Sequence, residues 1–140
     1  MGFRLGGLAV MALLVACAAH SAAPRAGSIV LSGTYTRRLD ATTRELHGEQ
    51  VCFFPDADSK GLVPREAGDM RLPWFCFSNR DPAARLLSLP TEGGCGHSGT
   101  ATVAISEYRV DRTESAVFDT ARLDRVLTAS RPEPLPCTEE

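Results

Sequence analysis

Apolar positions recur at a period of two in several short segments of this chain, and only at the amino end do they merge into one long run. In Ile29-Val30-Leu31-Ser32-Gly33-Thr34-Tyr35, residues Ile29, Leu31 and Tyr35 share a face, which predicts a strand. Gly33 within it predicts a bend or bulge of the kind a strongly coiled barrel strand needs. Gln50-Val51-Cys52-Phe53-Phe54 reads as a second strand stopped by Pro55. Asp56 to Met70, with Gly61, Pro64 and Gly68, reads as a long loop, and Arg71 to Ser78 as a third strand whose start Pro73 confines to an edge. Five of the eight aromatics that follow Phe3 lie in these two strands and predict the core.

Asp81-Pro82-Ala83-Ala84-Arg85-Leu86-Leu87 carries an N-cap aspartate, a proline at the first helical position and good helix formers, so it predicts a short helix ended by Pro90 and Gly93-Gly94. Thr100 to Val110 predicts a strand with Val103 and Ile105 on one face and Thr102 and Ser106 on the other. Ser115 to Leu127 fits strand spacing through Val117, Ala121, Leu123 and Leu127, although Leu123, Val126 and Leu127 also fit a helix. A hairpin loop at Asp111-Arg112-Thr113-Glu114 favours the strand. The tail Arg131-Pro132-Glu133-Pro134-Leu135-Pro136 predicts extended, polyproline-like chain.

The long apolar run is Leu5 to Ala16, twelve residues behind a start that carries Arg4. Spanning hydrocarbon takes about 20 residues, so the run predicts a signal segment rather than a permanent membrane helix. At its end Leu14-Val15-Ala16-Cys17 resembles the lipobox of bacterial lipoproteins, which implies cleavage before Cys17 and diacylglycerol on its sulfur. Ala18 is not the aspartate that retains such lipoproteins in the inner membrane, so the resemblance implies the periplasmic face of an outer membrane. The alternative is ordinary cleavage near Ala19-His20-Ser21, which would give a soluble periplasmic or secreted protein. The expected organisation is a signal peptide over 1–16, a lipid-anchored tether over 17–27, a folded domain over 28–130 and a Pro-rich tail over 131–140.

Strand, strand, strand, short helix, strand, strand is the element order of the OB-fold, a five-stranded, partly open barrel. The chain resembles small exported OB-like domains framed by a glycine-bearing first strand, here Val30 to Tyr35, and a late Thr-Val-x-Ile-x-x-Tyr strand, here Thr102 to Tyr108. The expected fold class is therefore all-β with one short helix.

Cleavage before Cys17 or after it leaves Cys52, Cys76, Cys95 and Cys137, an even number that suits an oxidising compartment. Four cysteines admit three pairings. The preferred set joins Cys76 to Cys95, stapling the third strand to the loop before the fourth, and Cys52 to Cys137, pinning the tail. Its rival joins Cys52 to Cys76 and Cys95 to Cys137. No two cysteines stand at zinc spacing, and neither a metal nor another cofactor is expected.

Removing Arg4 leaves 15 − 1 = 14 basic residues against 17 acidic ones, a net charge near −3 with no basic block, which argues against a nucleic-acid partner. Gly96-His97-Ser98-Gly99-Thr100 approaches the G-x-S-x-G elbow but ends on threonine, so Ser98 reads as a loop serine and His97 as a solvent-facing loop residue. Asp56-x-Asp58-x-Lys60-Gly61 starts like a calcium loop but has a cation at its fifth position and Ala67 where the bidentate glutamate belongs. Glu45, Glu49, Glu107, Glu114 and His47 read as scattered surface groups. The expected function is non-enzymatic: a membrane-anchored binding or accessory module offering the loops Asp56 to Met70 and Thr91 to Gly99 to a protein, peptide or glycan. A narrower form is an inhibitor of a cell-wall hydrolase or toxin, and the alternative is a structural component of an envelope assembly.

Overall fold

A computed structural model describes residues 27–113 and 118–137. The lipobox, Cys17 and most of the tether lie outside the described residues. The elements are β1 (Ile29–Arg38), helix α1 (Ala41–His47), β2 (Val51–Pro55), a 3-10 turn (Lys60–Leu62), β3 (Phe75–Phe77), helix α2 (Arg80–Leu86), β4 (Gly96–Arg109), β5 (Asp119–Ala129) and the two-residue β6 (Glu133–Pro134).

The strands are ordered β1-β2-β3-β5-β4, and β1 pairs with β4 to close the ring. Every pairing in the ring is antiparallel except β3 with β5, which is parallel. The β3–β5 seam is only three residues long, Phe75↔Asp119 to Phe77↔Ala121. Beyond it, the Asn79 side chain takes over as a surrogate strand, donating to Leu123 O at 2.9 Å and accepting from Leu123 N at 2.9 Å. The result is an all-β, OB-like, partly open barrel.

Alternation fills the interior. Leu31 and Tyr35 from β1, Val51 and Phe53 from β2, Phe75 and Phe77 from β3, Val103 and Ile105 from β4, and Ala121 and Leu123 from β5 are all buried. Phe53, Phe75 and Phe77 pack ring against ring at centroid distances of 5.7, 6.2 and 5.7 Å. Leu87 and Ala83, from α2 and its C-cap, are buried with them and join the same core. Two of the five aromatics expected in the core, Phe54 and Trp74, instead face outward.

Gly33 is the place where closure shows most directly. It pairs with Pro55 on one side and Ala101 on the other. A Cβ there would collide with the Phe54 carbonyl oxygen and lie 2.9 Å from Pro55 Cα. The glycine therefore serves close approach of two backbones in a tightly coiled strand. Gly33→Ala is expected to cost about 1–3 kcal/mol through overpacking, read as a lowered midpoint in urea.

Several boundaries depart from the sequence reading. The polar stretch after β1 contains α1, capped by Asp40, whose carboxylate accepts from Thr43 N at 2.8 Å. The third strand is shorter than Arg71 to Ser78, and Pro73 lies before it. Helix α2 begins at Arg80 with Asn79 at the cap position, so Asp81 is not the cap and Pro82 falls inside the first turn. Asn79's side chain is committed to Leu123 and makes no capping bond. The segment of uncertain type is a strand, β5. It carries extra residues at Asp124 and Leu127, where register shifts against β4 bulge and coil it.

The disulfides are Cys52–Cys76 and Cys95–Cys137, which corrects the preferred pairing of Cys76 with Cys95 and Cys52 with Cys137. The physical reason is register. Cys52 and Cys76 are direct cross-strand partners with Cα atoms 3.8 Å apart, which a chain-order argument does not see. Cys95 then meets Cys137 because β6 pairs with the start of β4, His97↔Pro134, and carries the tail back there. Two disulfides suit an oxidising, exported environment. Among the described residues no helix is long and apolar enough to cross a membrane.

Candidate functional site

Register places a row of aromatic side chains on the outer surface. Because Phe53 pairs with Phe75 and Phe75 with Asp119, the residues one step along, Phe54, Trp74 and Phe118, stand side by side on the opposite face. Phe54 and Trp74 are stacked, with centroids 5.4 Å apart and planes 7° from parallel. Trp74 meets Phe118 at 5.8 Å and 49°. A contiguous row of three aromatics, Phe54 exposed and Trp74 and Phe118 half-buried, marks this surface as a candidate binding face.

The row forms one wall of a groove of about 280 Å³. Thr36 and Arg38 from β1, Gln50 and Cys52 at β2, and Thr43 and Gly48 at α1 supply the rest. The floor is cross-linked, since Cys52 is joined to the buried Cys76. One flank is the β1–β2 connection, built by the Asp40-capped helix. Its base is braced by Glu49, which pairs with Arg37 at 3.0 Å and Arg44 at 3.0 Å. The opposite flank is the start of β5, where Phe118 sits.

The groove has a chemistry of flat apolar surface beside amide, hydroxyl and guanidinium groups. That combination binds ligands which are apolar on one face and polar at the edge. It holds no nucleophile–base pair, and among the described residues no cluster of His, Cys, Asp and Glu could hold a metal ion.

Neither loop singled out from the sequence lines this groove. Asp56 to Met70 is a pinned structure. Asp56 Oδ1 accepts from Ser59 N at 2.9 Å, the turn geometry of an ordinary Asx loop rather than a cation loop. Arg65 donates to Arg71 O and Leu72 O, both at 2.7 Å, and to Asp119 Oδ2 at 3.0 Å. Tyr108 O–H donates to the same carboxylate at 2.7 Å, and Asp111 N to its other oxygen at 3.0 Å. Burial, then the hydrogen bond to Asp119, push the Tyr108 phenol well above its usual range.

Thr91 to Gly99 is a loop only as far as Cys95, because β4 starts at Gly96. Ser98 is therefore a strand residue, and His97, read as solvent-facing, is buried at 7% exposure beside the Arg37 pairing position with no hydrogen bond at Nδ1. Ser98 pairs with Glu133 and Thr36 in the sheet. Glu49 is held by its two arginines, Glu45 and Glu107 are exposed, and Glu114 and the His47 side chain lie outside the described residues.

No protein-family model, curated protein or solved structure matches this chain. The site therefore stands on its geometry.

The loop clamp has a pH signature. The Arg71 side chain and its backbone N–H both donate to Asp69, and with the Arg65 charge nearby they hold its carboxyl down at about 2. A folded value below the unfolded one means the contribution is present above about pH 4 and fades as pH falls toward 2. Protection of the amides over residues 65–72, the observed exchange rate set against the intrinsic rate at each pH, is expected to fall between pH 5 and pH 2.5. Unchanged protection there would show that the Asp69 carboxylate does not brace the loop.

Proposed function

We propose that this protein is a non-enzymatic binding module of the cell envelope, anchored through Cys17, whose aromatic groove holds a glycan strand. The observation that carries the reading is the Phe54–Trp74–Phe118 row between the β1–β2 and β4–β5 connections. That face, over strands 2 and 3 and between those two loops, is where OB-folds take up oligosaccharides and oligonucleotides.

Charge decides between the two ligand classes. With 15 basic against 17 acidic residues, a net charge of −2 that falls to −3 once Arg4 is removed with the leader, the chain disfavours a phosphate backbone. A sugar ring offers what the groove matches, with an apolar face for Trp74 and Phe54 and hydroxyls at its edge for Gln50, Thr36 and Thr43. Arg38 adds a donor pair for a carboxylate substituent on the sugar. Export agrees with the disulfides, and the lipobox resemblance at Leu14-Val15-Ala16-Cys17 supports an anchor that would keep the groove near wall polymer.

Calorimetric titration with soluble peptidoglycan fragments tests this. Trp74→Ala is expected to weaken binding roughly tenfold, the equivalent of about 1.4 kcal/mol, while Trp74→Phe retains most of the affinity. Equal affinity of the alanine variant, or no heat with the parent protein, would contradict the reading.

A further inference from the structure

Register puts Gly27, the β2–β3 connection and the β4–β5 connection at one end of the barrel. Ile29 pairs with Ile105 near the end of β4, Gly33 with Pro55 at the end of β2, and Phe53 with Phe75 at the start of β3. At that end the β2–β3 connection exposes Met70 at 93% and Leu72 at 77%. A single exposed leucine is ordinary, but two large apolar side chains two residues apart on one loop form a local apolar patch.

Their exposure is built. Arg65 grips the carbonyls of Arg71 and Leu72 at 2.7 Å each, which fixes the backbone between the two apolar side chains. Arg71, the one charge between them, is folded back onto Asp69 at 2.9 Å and Asp111 O at 2.9 Å. The loop therefore projects a rigid pair of apolar side chains with the intervening cation withdrawn.

We infer that Met70 and Leu72 form a tip that enters the interfacial layer of the membrane to which the protein is anchored. This rests on the reading of Cys17 as the anchor. Nine residues lie between Cys17 and Gly27, a reach of at most about 35 Å, and Gly27 emerges at the end of the barrel that carries Met70 and Leu72, so anchor and tip share one side of the fold. Attraction to anionic lipid does not contribute, because residues 56–74 and 110–113 carry five acidic and four basic groups, 4 − 5 = −1. Apolar insertion into a zwitterionic surface is what such a tip supplies. It also sets orientation, since a barrel held at this end keeps the α1 side of the groove facing away from the membrane.

The test uses the mature protein isolated from membranes and reconstituted in zwitterionic phosphatidylcholine vesicles. Trp74 is the sole tryptophan, so L72W combined with W74F moves the reporter to the tip. Brominated acyl chains are expected to quench its emission at least twofold, and an added M70D substitution to restore quenching by aqueous iodide. Mass spectrometry of the same sample reads acylation at Cys17. An acylated protein whose reporter stays fully open to iodide overturns the tip and leaves the anchor standing. A protein without acyl chains that does not sediment with vesicles overturns both. Sedimentation without acyl chains, abolished by M70D/L72D, supports the tip alone.

Discussion

An Asp119→Ala variant is expected to unfold at a temperature on the order of 15 °C below the parent, the largest effect of any single substitution considered. Asp119 is 1% exposed and heads β5 at the parallel seam, opposite Phe75. Its two oxygens collect Arg65, Tyr108 and Asp111 N at hydrogen-bond distance, with Arg71 at 3.5 Å. Alanine takes from Arg65, itself only 11% exposed, its buried carboxylate partner and leaves it Asp69 at 3.4 Å, and it strips a half-buried phenol and a backbone N–H of their acceptor. Breaking a buried pair from one side costs about 3–5 kcal/mol, because the remaining charge stays desolvated. The β2–β3 connection would lose its hold on the barrel in the same step. Differential scanning calorimetry checks the magnitude, and a shift of only a few degrees would show that solvent already reaches Arg65.

Removing Cys52 and Cys76 together, as the double alanine variant, is expected to cost more stability than removing Cys95 and Cys137, the reverse of what loop length predicts. In the chain-entropy model a separation of 24 gives about 3 kcal/mol and one of 42 about 4 kcal/mol. That model assumes the native state stays the same on either side of the comparison. The Cys95–Cys137 bond ties down a tail held otherwise by β6, two exposed residues, so without the bond the tail frays and recovers the entropy. Cys52–Cys76 crosses the β2–β3 pair, which has only two registered positions and carries Phe53 and Phe75 in the core. Frayed ends there would open the barrel. Urea midpoints of the two double variants, compared side by side without reductant, decide the order.

The fold was legible because most of its elements are periodic. β1, β2 and the part of β4 from Thr100 on carry apolar residues at strand spacing, α2 has its formers and its stop, and the order of these elements is that of an OB-like barrel. Helix α1 was not legible, because Ala41 to His47 has no apolar face to bury and depends on Asp40 as a cap. The disulfide map was not legible either. It follows from β2–β3 register and from the return of the tail to β4, both long-range outcomes.

The candidate site was hidden for a related reason. Phe54 and Trp74 read as core residues by type, yet strand alternation sends them outward once Phe53 and Phe75 are known to face in. The signal was present in the doubled aromatics Phe53-Phe54 and Trp74-Phe75, since a strand cannot bury two consecutive side chains on one face. Phe118 completes the row only through the parallel pairing of β3 with β5, which connects residues more than forty positions apart.

Binding through the groove over β2 and β3 requires that ligand contact Trp74 and its neighbours. Two-dimensional amide and indole NMR during titration with peptidoglycan oligosaccharides reads this directly, because the single indole N–H of Trp74 is its own resonance. Progressive shifts of that indole and of the Gln50, Thr43 and Phe54 amides are expected, with residues 65–72 unmoved. Shifts confined to the 65–72 loop or to the far side of the barrel, with the indole stationary at saturation, would contradict binding through this groove.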